Sequence, residues 1–174
     1  MKKAKIFWVL FFITIITVSA YDNNGTLRLS VNNNTIQEEV EAYMDFFGTY
    51  YSNNAANVDI TLVADNMELY FEMFVPIGNN RLIDGTYNIS SASNNYHRQF
   101  TFSYGEIYLD DYDDDYYEVT GGSLTVTSSG QGANITYNID FNLTLEDDYS
   151  RISTATGSYR GTFVWEDYSR DWED

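Results

Sequence analysis

From Ile135 to Leu145 the chain alternates without a break. Ile135, Tyr137, Ile139, Phe141, Leu143 and Leu145 fall on one side, and Thr136, Asn138, Asp140, Asn142 and Thr144 on the other. Successive side chains of a strand point to opposite faces, so this period of two predicts a strand with one buried and one wet face. Shorter copies at Val58, Ile60, Leu62 and at Leu69, Phe71, Met73, Val75 flank Asp65-Asn66 and predict a hairpin. Further strands are expected at Thr86 to Ile89, Gln99 to Tyr104, Ile107 to Leu109, Tyr116 to Val119, Leu124 to Thr127 and Ser158 to Trp165.

Helical spacing is weak throughout. Thr35 to Met44, "TIQEEVEAYM", is the exception: Thr35 and Glu38 make a capping-box signature, with Ile36, Val40 and Tyr43 at helical intervals. A strand is expected over its second half, with a short helical turn left open before it. Gly121-Gly122 reads either as a hairpin turn or as a bulge in one long strand, since glycine reaches positive φ at no steric cost. Many short strands, polar turns and a single proline, Pro76, predict an all-β domain. The expected form is one antiparallel β-sandwich or partly closed β-barrel of about eight to ten strands.

The opening "MKKAKIFWVLFFITIITVSA" is set apart from that pattern. Lys2, Lys3 and Lys5 precede an apolar run from Ile6 to Val18 and a small-residue ending, Ser19-Ala20, which predicts a cleaved signal peptide. The expected organisation is therefore signal peptide 1–20, a partly irregular lead-in 21–41, a β domain 42–167 and an acidic tail 168–174. The sequence contains no cysteine, so neither a disulfide framework nor a lipid-modified cysteine is expected. A secreted or periplasmic bacterial protein without a lipid anchor follows from these features, with no membrane insertion after cleavage.

Charge narrows the partners. The chain carries −17 overall, and removing the three leader lysines leaves six arginines against its 26 acids. Such a polyanion repels phosphate backbones and anionic lipid surfaces, so nucleic acid is excluded as a partner.

"FFGTYYSNNAANVDITL", "LIDGTYNIS", "YYEVTGGSLTVTSSGQGANITYNIDFNLTLED" and "GSYRGTFVWED" run in that order along the chain, over roughly Ala42 to Asp167. In this order it resembles the small secreted β domains of surface and exported proteins of the Bacteroidota. The resemblance implies a calycin-like barrel or sandwich and an extracytoplasmic location; it implies no established activity.

Candidate chemistry is sparse. His97 is the single histidine and has no cysteine to pair with, so the usual nucleophile and base pairs and zinc sets are not available; it is expected at a strand end or on the surface. Paired carboxylates serve glycoside hydrolysis, yet Asp59, Glu72 and Asp140 are equally good guesses among so many acids, and no enzyme activity is expected. "LDDYDDDYYEV", Leu109 to Val119, is denser. Asp111, Asp113 and Asp115 stand at alternate positions as in a calcium loop, but Tyr116 stands where that loop needs glycine and Gly122 where it needs glutamate. It is not an EF-hand. A looser calcium site using Asp110, Asp111, Asp113 and Asp115 stays open beside a plain solvated loop, and Glu146-Asp147-Asp148 forms a smaller acidic turn. Tyr112, Tyr116 and Tyr117 beside these acids can stack on a sugar ring while the carboxylates accept its hydroxyls. Two functions are expected from this pattern. One is a non-catalytic binding module for extracellular carbohydrate, possible with calcium assistance. The alternative is a structural or adhesion component that meets a surface protein through an edge strand or hydrophobic face.

Overall fold

The structure, a computed structural model, describes residues 24–90, 97–109, 115–132 and 134–170. Ten strands follow one another: β1 (Asn24–Val31), β2 (Asn34–Gly48), β3 (Ala56–Ala64), β4 (Met67–Val75), β5 (Gly85–Ile89), β6 (Thr101–Leu109), β7 (Asp115–Ser129), β8 (Thr136–Asp147), β9 (Ile152–Gly161) and β10 (Val164–Asp167). They form one sheet in the order β1-β9-β8-β7-β5-β6-β4-β3-β2-β10, and a further pairing of β1 with β2 closes it into a nine-stranded barrel. Closure removes the open edges that an antiparallel sandwich would leave to water. The expected all-β fold is thus realised as a closed barrel.

Neighbours in the ring are antiparallel, apart from two short parallel pairings, β5 with β6 and β10 with β2. Strand β5 is a wedge: Gly85–Asn88 pairs with the second half of β7, while the first half of β7 pairs directly with β6. Strand β10 is the short continuation of β9. It lies along β2 at Tyr43 to Phe46, just beyond the point where β1 stops pairing at Glu41.

Alternation fills the lumen. Tyr137, Ile139, Phe141, Leu143 and Leu145 of β8 are all buried, as their spacing predicts, and they meet Leu27, Leu29, Ile60, Leu62, Leu69 and Phe71 from the other strands. Phe71 of β4 stacks on Phe141 of β8 at 6.0 Å and meets Phe102 edge-on at 5.9 Å. Rings from well-separated strands thus touch across the barrel, which is packed with side chains rather than open to a ligand.

Three stretches are decided by the structure. Residues 24–41, expected as a partly irregular lead-in, form β1 and half of β2. Thr35 to Met44 is strand throughout, which decides the helical turn left open at Thr35 and Glu38: pairing of β2 with β1 overrides the helix-forming glutamates, of which Glu39 and Glu41 point outward while Glu38 falls on the side of Ile36 and Val40, opposite Leu27. Gly121-Gly122 is a bulge in β7 rather than a turn, with the register shifting between Val119 and Gly121 opposite β8. Gly122 sits at φ +105°, and a Cβ there would run into the Asn142 carbonyl.

Candidate binding face

Because apolar side chains claim the lumen, the polar half of each strand is forced outward, and register decides which polar groups meet. On the outside of the barrel, Glu166 of β10 stands opposite Asp45 of β2, Asp45 opposite Asp59 of β3, Asp59 opposite Glu72 of β4, and Glu72 opposite Tyr104 of β6. Two residues along, the row reads Tyr43, Thr61, Tyr70, Glu106 and Glu118 from β2 to β7. A third row brings Glu68 of β4 beside Tyr108 of β6 and Tyr116 of β7. Directly opposed side chains in antiparallel strands sit about 5 Å apart at Cβ, so each row is a line of touching neighbours.

The tyrosines cluster on this face. Tyr70 and Tyr104 have ring centroids 6.1 Å apart, Tyr108 and Tyr116 are 5.0 Å apart, and the Tyr104 and Tyr116 hydroxyls lie within 3.1 Å. Tyr108 is 45% exposed. Several phenols donate to carboxylates: Tyr43 to Glu41 at 2.6 Å, Tyr70 to Asp59 at 2.5 Å and Tyr104 to Glu106 at 2.6 Å. Hydrogen bonding to Glu106, first, holds the Tyr104 phenol well above its ordinary range. A second aromatic group flanks the acid ladder, where Phe47 stacks on Tyr168 at 5.6 Å and meets Tyr51 edge-on at 6.5 Å.

Asp59 is the most perturbed acid of the face. Burial pushes its carboxyl up to about 7, opposed by hydrogen bonds from Tyr70 and Asn57 and reinforced by the charges of Glu72 and Asp45. Asn57 Nδ2 reaches Asp59 Oδ1 at 2.8 Å. Asp45 is also raised, by burial and then by Glu166, while Glu72 accepts a hydrogen bond from Ser103.

The residues singled out in the sequence are scattered by this geometry. Tyr116 lies on the outer face within the tyrosine cluster. Tyr117 stands opposite the buried Ile107 and packs against the core, because consecutive strand residues point opposite ways. Asp115 opens β7 opposite Leu109. Asp110, Asp111, Tyr112 and Asp113 lie outside the described residues. Among the described residues, no three acids or histidines converge as metal ligands. Of the acids named as equal guesses, Asp59 and Glu72 are direct neighbours, whereas Asp140 sits on β8 between Thr125 and Ser158. In the smaller acidic turn Asp147 is structural: its carboxylate accepts the Tyr149 and Arg151 backbone N–H groups, each at 2.9 Å, and pairs with Arg151 Nε at 2.6 Å.

His97 corrects an expectation. It is buried, 4% exposed, and stacks on Phe74 at 4.1 Å, because the segment before β6 folds over the outer end of β4 and Ser52 Oγ donates to the His97 carbonyl. Tyr70, Tyr104 and Tyr108 were missed as a site. Each occupies an outward position of its strand, and only the pairing of β4, β6 and β7 makes them one surface.

Compared with known proteins, the chain matches no family model, no curated protein and no solved structure.

Proposed function

We propose that this is a non-catalytic extracytoplasmic binding module whose outer tyrosine and carboxylate face takes a carbohydrate. The observation that carries the reading is the cluster of Tyr70, Tyr104, Tyr108 and Tyr116 on the outside of a barrel whose inside is filled. Tyrosine faces stack on the apolar side of a sugar ring, and adjacent carboxylates accept its hydroxyls. Since phenol hydrogens are already given to Glu41, Asp59 and Glu106, the face offers acceptors and π surfaces, and the ligand supplies the donors. Acidic glycans are repelled by Glu68, Glu72, Glu106 and Glu118, so the fitting sugars are neutral or amine-bearing. Calcium, where held by Asp110, Asp111, Asp113 and Asp115, would assist from the segment between β6 and β7. The resemblance to secreted β domains of the Bacteroidota suits this extracytoplasmic role.

The test is a panel of neutral, amine-bearing and acidic oligosaccharides, read by calorimetry against the protein and its Tyr108→Ala, Tyr116→Ala double variant. Binding lost in the variant with thermal stability retained supports the face; equal binding by both ends the idea. A second reading, adhesion to a surface protein through an edge strand, is favoured by one observation: among the described residues, β10 ends the strand order and is paired along β2 alone. Partner capture that survives the tyrosine changes but is lost on truncation before Val164 would favour it.

A further inference from the structure

Strand β10 is held on β2 by only four parallel pairs, from Val164 opposite Tyr43 to Asp167 opposite Phe46. Its anchors are mainly aromatic. Trp165 Nε1 donates to the Asn80 carbonyl at 2.7 Å with the Arg81 guanidinium 5.0 Å from its ring, and Tyr168 stacks on Phe47 while its N–H reaches the Phe46 carbonyl at 2.8 Å. Against these anchors stands one unfavourable contact. Docking places Glu166 directly opposite Asp45, at the end of a line of acids that runs on through Asp59 to Glu72.

We propose that β10 is a proton-operated clasp on the acid line Glu166, Asp45, Asp59 and Glu72, closing on β2 as Asp45 and Asp59 take up protons and loosening as these two ionise. Like charges in adjacent strands repel most where water is excluded, and a shared proton removes part of that repulsion. Because docking of Glu166 favours the protonated form of Asp45, protonation of Asp45 must favour docking by the same amount.

Among the described residues, groups from several strands face the line. Tyr70 and Asn57 donate to Asp59, Ser103 donates to Glu72, and Tyr168 donates to Glu166. The charges of Asp59 and Glu72 are felt by Tyr51 above the line, and that of Glu106 by Tyr70. Tyr104 stands opposite Glu72 at the far end. The cation recorded at the end of β10, Arg170, acts on Asp167 rather than on the line. The upward displacement of Asp45 and Asp59 agrees with this geometry, and the Asp59 carboxyl, pushed up to about 7, places part of the response near neutral pH.

Amide hydrogen exchange by mass spectrometry at pH 5.5, 6.5, 7.5 and 8.5, corrected for intrinsic base catalysis, tests the clasp. Protection over residues 164–168 is expected to fall by up to tenfold per pH unit between 5.5 and 7.5, while β8 and β9 keep theirs. Asp45→Asn with Asp59→Asn should flatten the profile at the protected level. Should that variant fold poorly, Glu166→Gln leaves Asp45, Asp59 and Glu72 intact and should raise protection at pH 8.5 severalfold. A pH-independent β10, a fall in step with β8 and β9, or a Glu166→Gln profile identical to the parent would overturn the proposal.

Discussion

Tyr70 on β4 donates its phenolic hydrogen to Asp59 Oδ2 on β3 across 2.5 Å, although the two are diagonal neighbours: Asp59 directly opposes Glu72, and Tyr70 opposes Thr61. The phenol therefore leans toward the one acid of the face that burial has lifted to about 7. A hydrogen bond to an ionised carboxylate stabilises the charge, so this contact limits how far Asp59 rises. Replacing Tyr70 by phenylalanine should move Asp59 further up, by about one pH unit. Titration of the Asp59 carboxyl carbon by NMR in the parent and the variant reads the shift directly, and an unmoved or lowered midpoint would refute it.

Stability should depend on pH through the same group. An unfolded aspartate titrates near 3.8, so between 3.8 and about 7 the folded chain holds a proton that the unfolded chain has released. Its contribution is complete below 3.8 and is lost as pH rises toward 7, at up to about 1.4 kcal/mol per unit. Denaturant melts should therefore show a more stable protein at pH 5 than at pH 8. Asp59→Asn keeps a neutral acceptor for Tyr70 and should be stabilising at pH 8, by about 1 to 3 kcal/mol, with a smaller gain at pH 5 and none below about pH 3.8. A variant weaker than the parent at pH 8 would show that the carboxylate is favourable where it stands.

Calcium makes a separate expectation. If Asp110, Asp111, Asp113 and Asp115 hold the ion with the weak affinity usual for extracellular modules, Kd near 1 mM, then 10 mM calcium stabilises by about 1.4 kcal/mol. The melting temperature after chelator treatment, with magnesium and matched ionic strength as controls, checks this. Equal effects of calcium and magnesium would end the calcium reading.

Two packing changes bear on the barrel itself. Phe71 joins Phe141 and Phe102 across the lumen, and Phe71→Ala should cost about 3 to 5 kcal/mol through the cavity it leaves. Gly122→Ala drives a methyl group toward the Asn142 carbonyl at a positive φ, and should cost more than about 1 kcal/mol. Chemical denaturation measures both, and a neutral Gly122→Ala would mean that the bulge relaxes without loss.

Much of the barrel wall is readable from alternation. In β3, β4 and β8 apolar residues recur at every second position, and burial follows that order. Strand β2 is not readable in this way, because its outward positions carry Gln37, Glu39 and Glu41, residues that also suit a helix, and only pairing with β1 and β3 settles the matter. The face was hidden for a related reason. Asp45, Asp59, Glu72 and Glu166 are distant in sequence and become neighbours through strand register, which depends on turn geometry and closure. Tyr116 was legible as a candidate because it adjoins an acidic run; its partners Tyr104 and Tyr108 belong to another strand and have no sequence signal linking them to it.

Closure of the ring also sets a clock. Strand β1 pairs on one side with β2, its immediate successor, but on the other with β9, with Gly25 opposite Gly161 and all of β2 to β8 between them in sequence. The first hairpin can zip early, yet its second flank waits until β3 to β8 have been made and placed. Such distant partners pay a large loop-closure entropy before they gain contact energy, which puts folding in the range of milliseconds to seconds. Until β9 arrives, β1 presents an unpaired edge, and that interval is when the chain is most exposed to mispairing with its own copies.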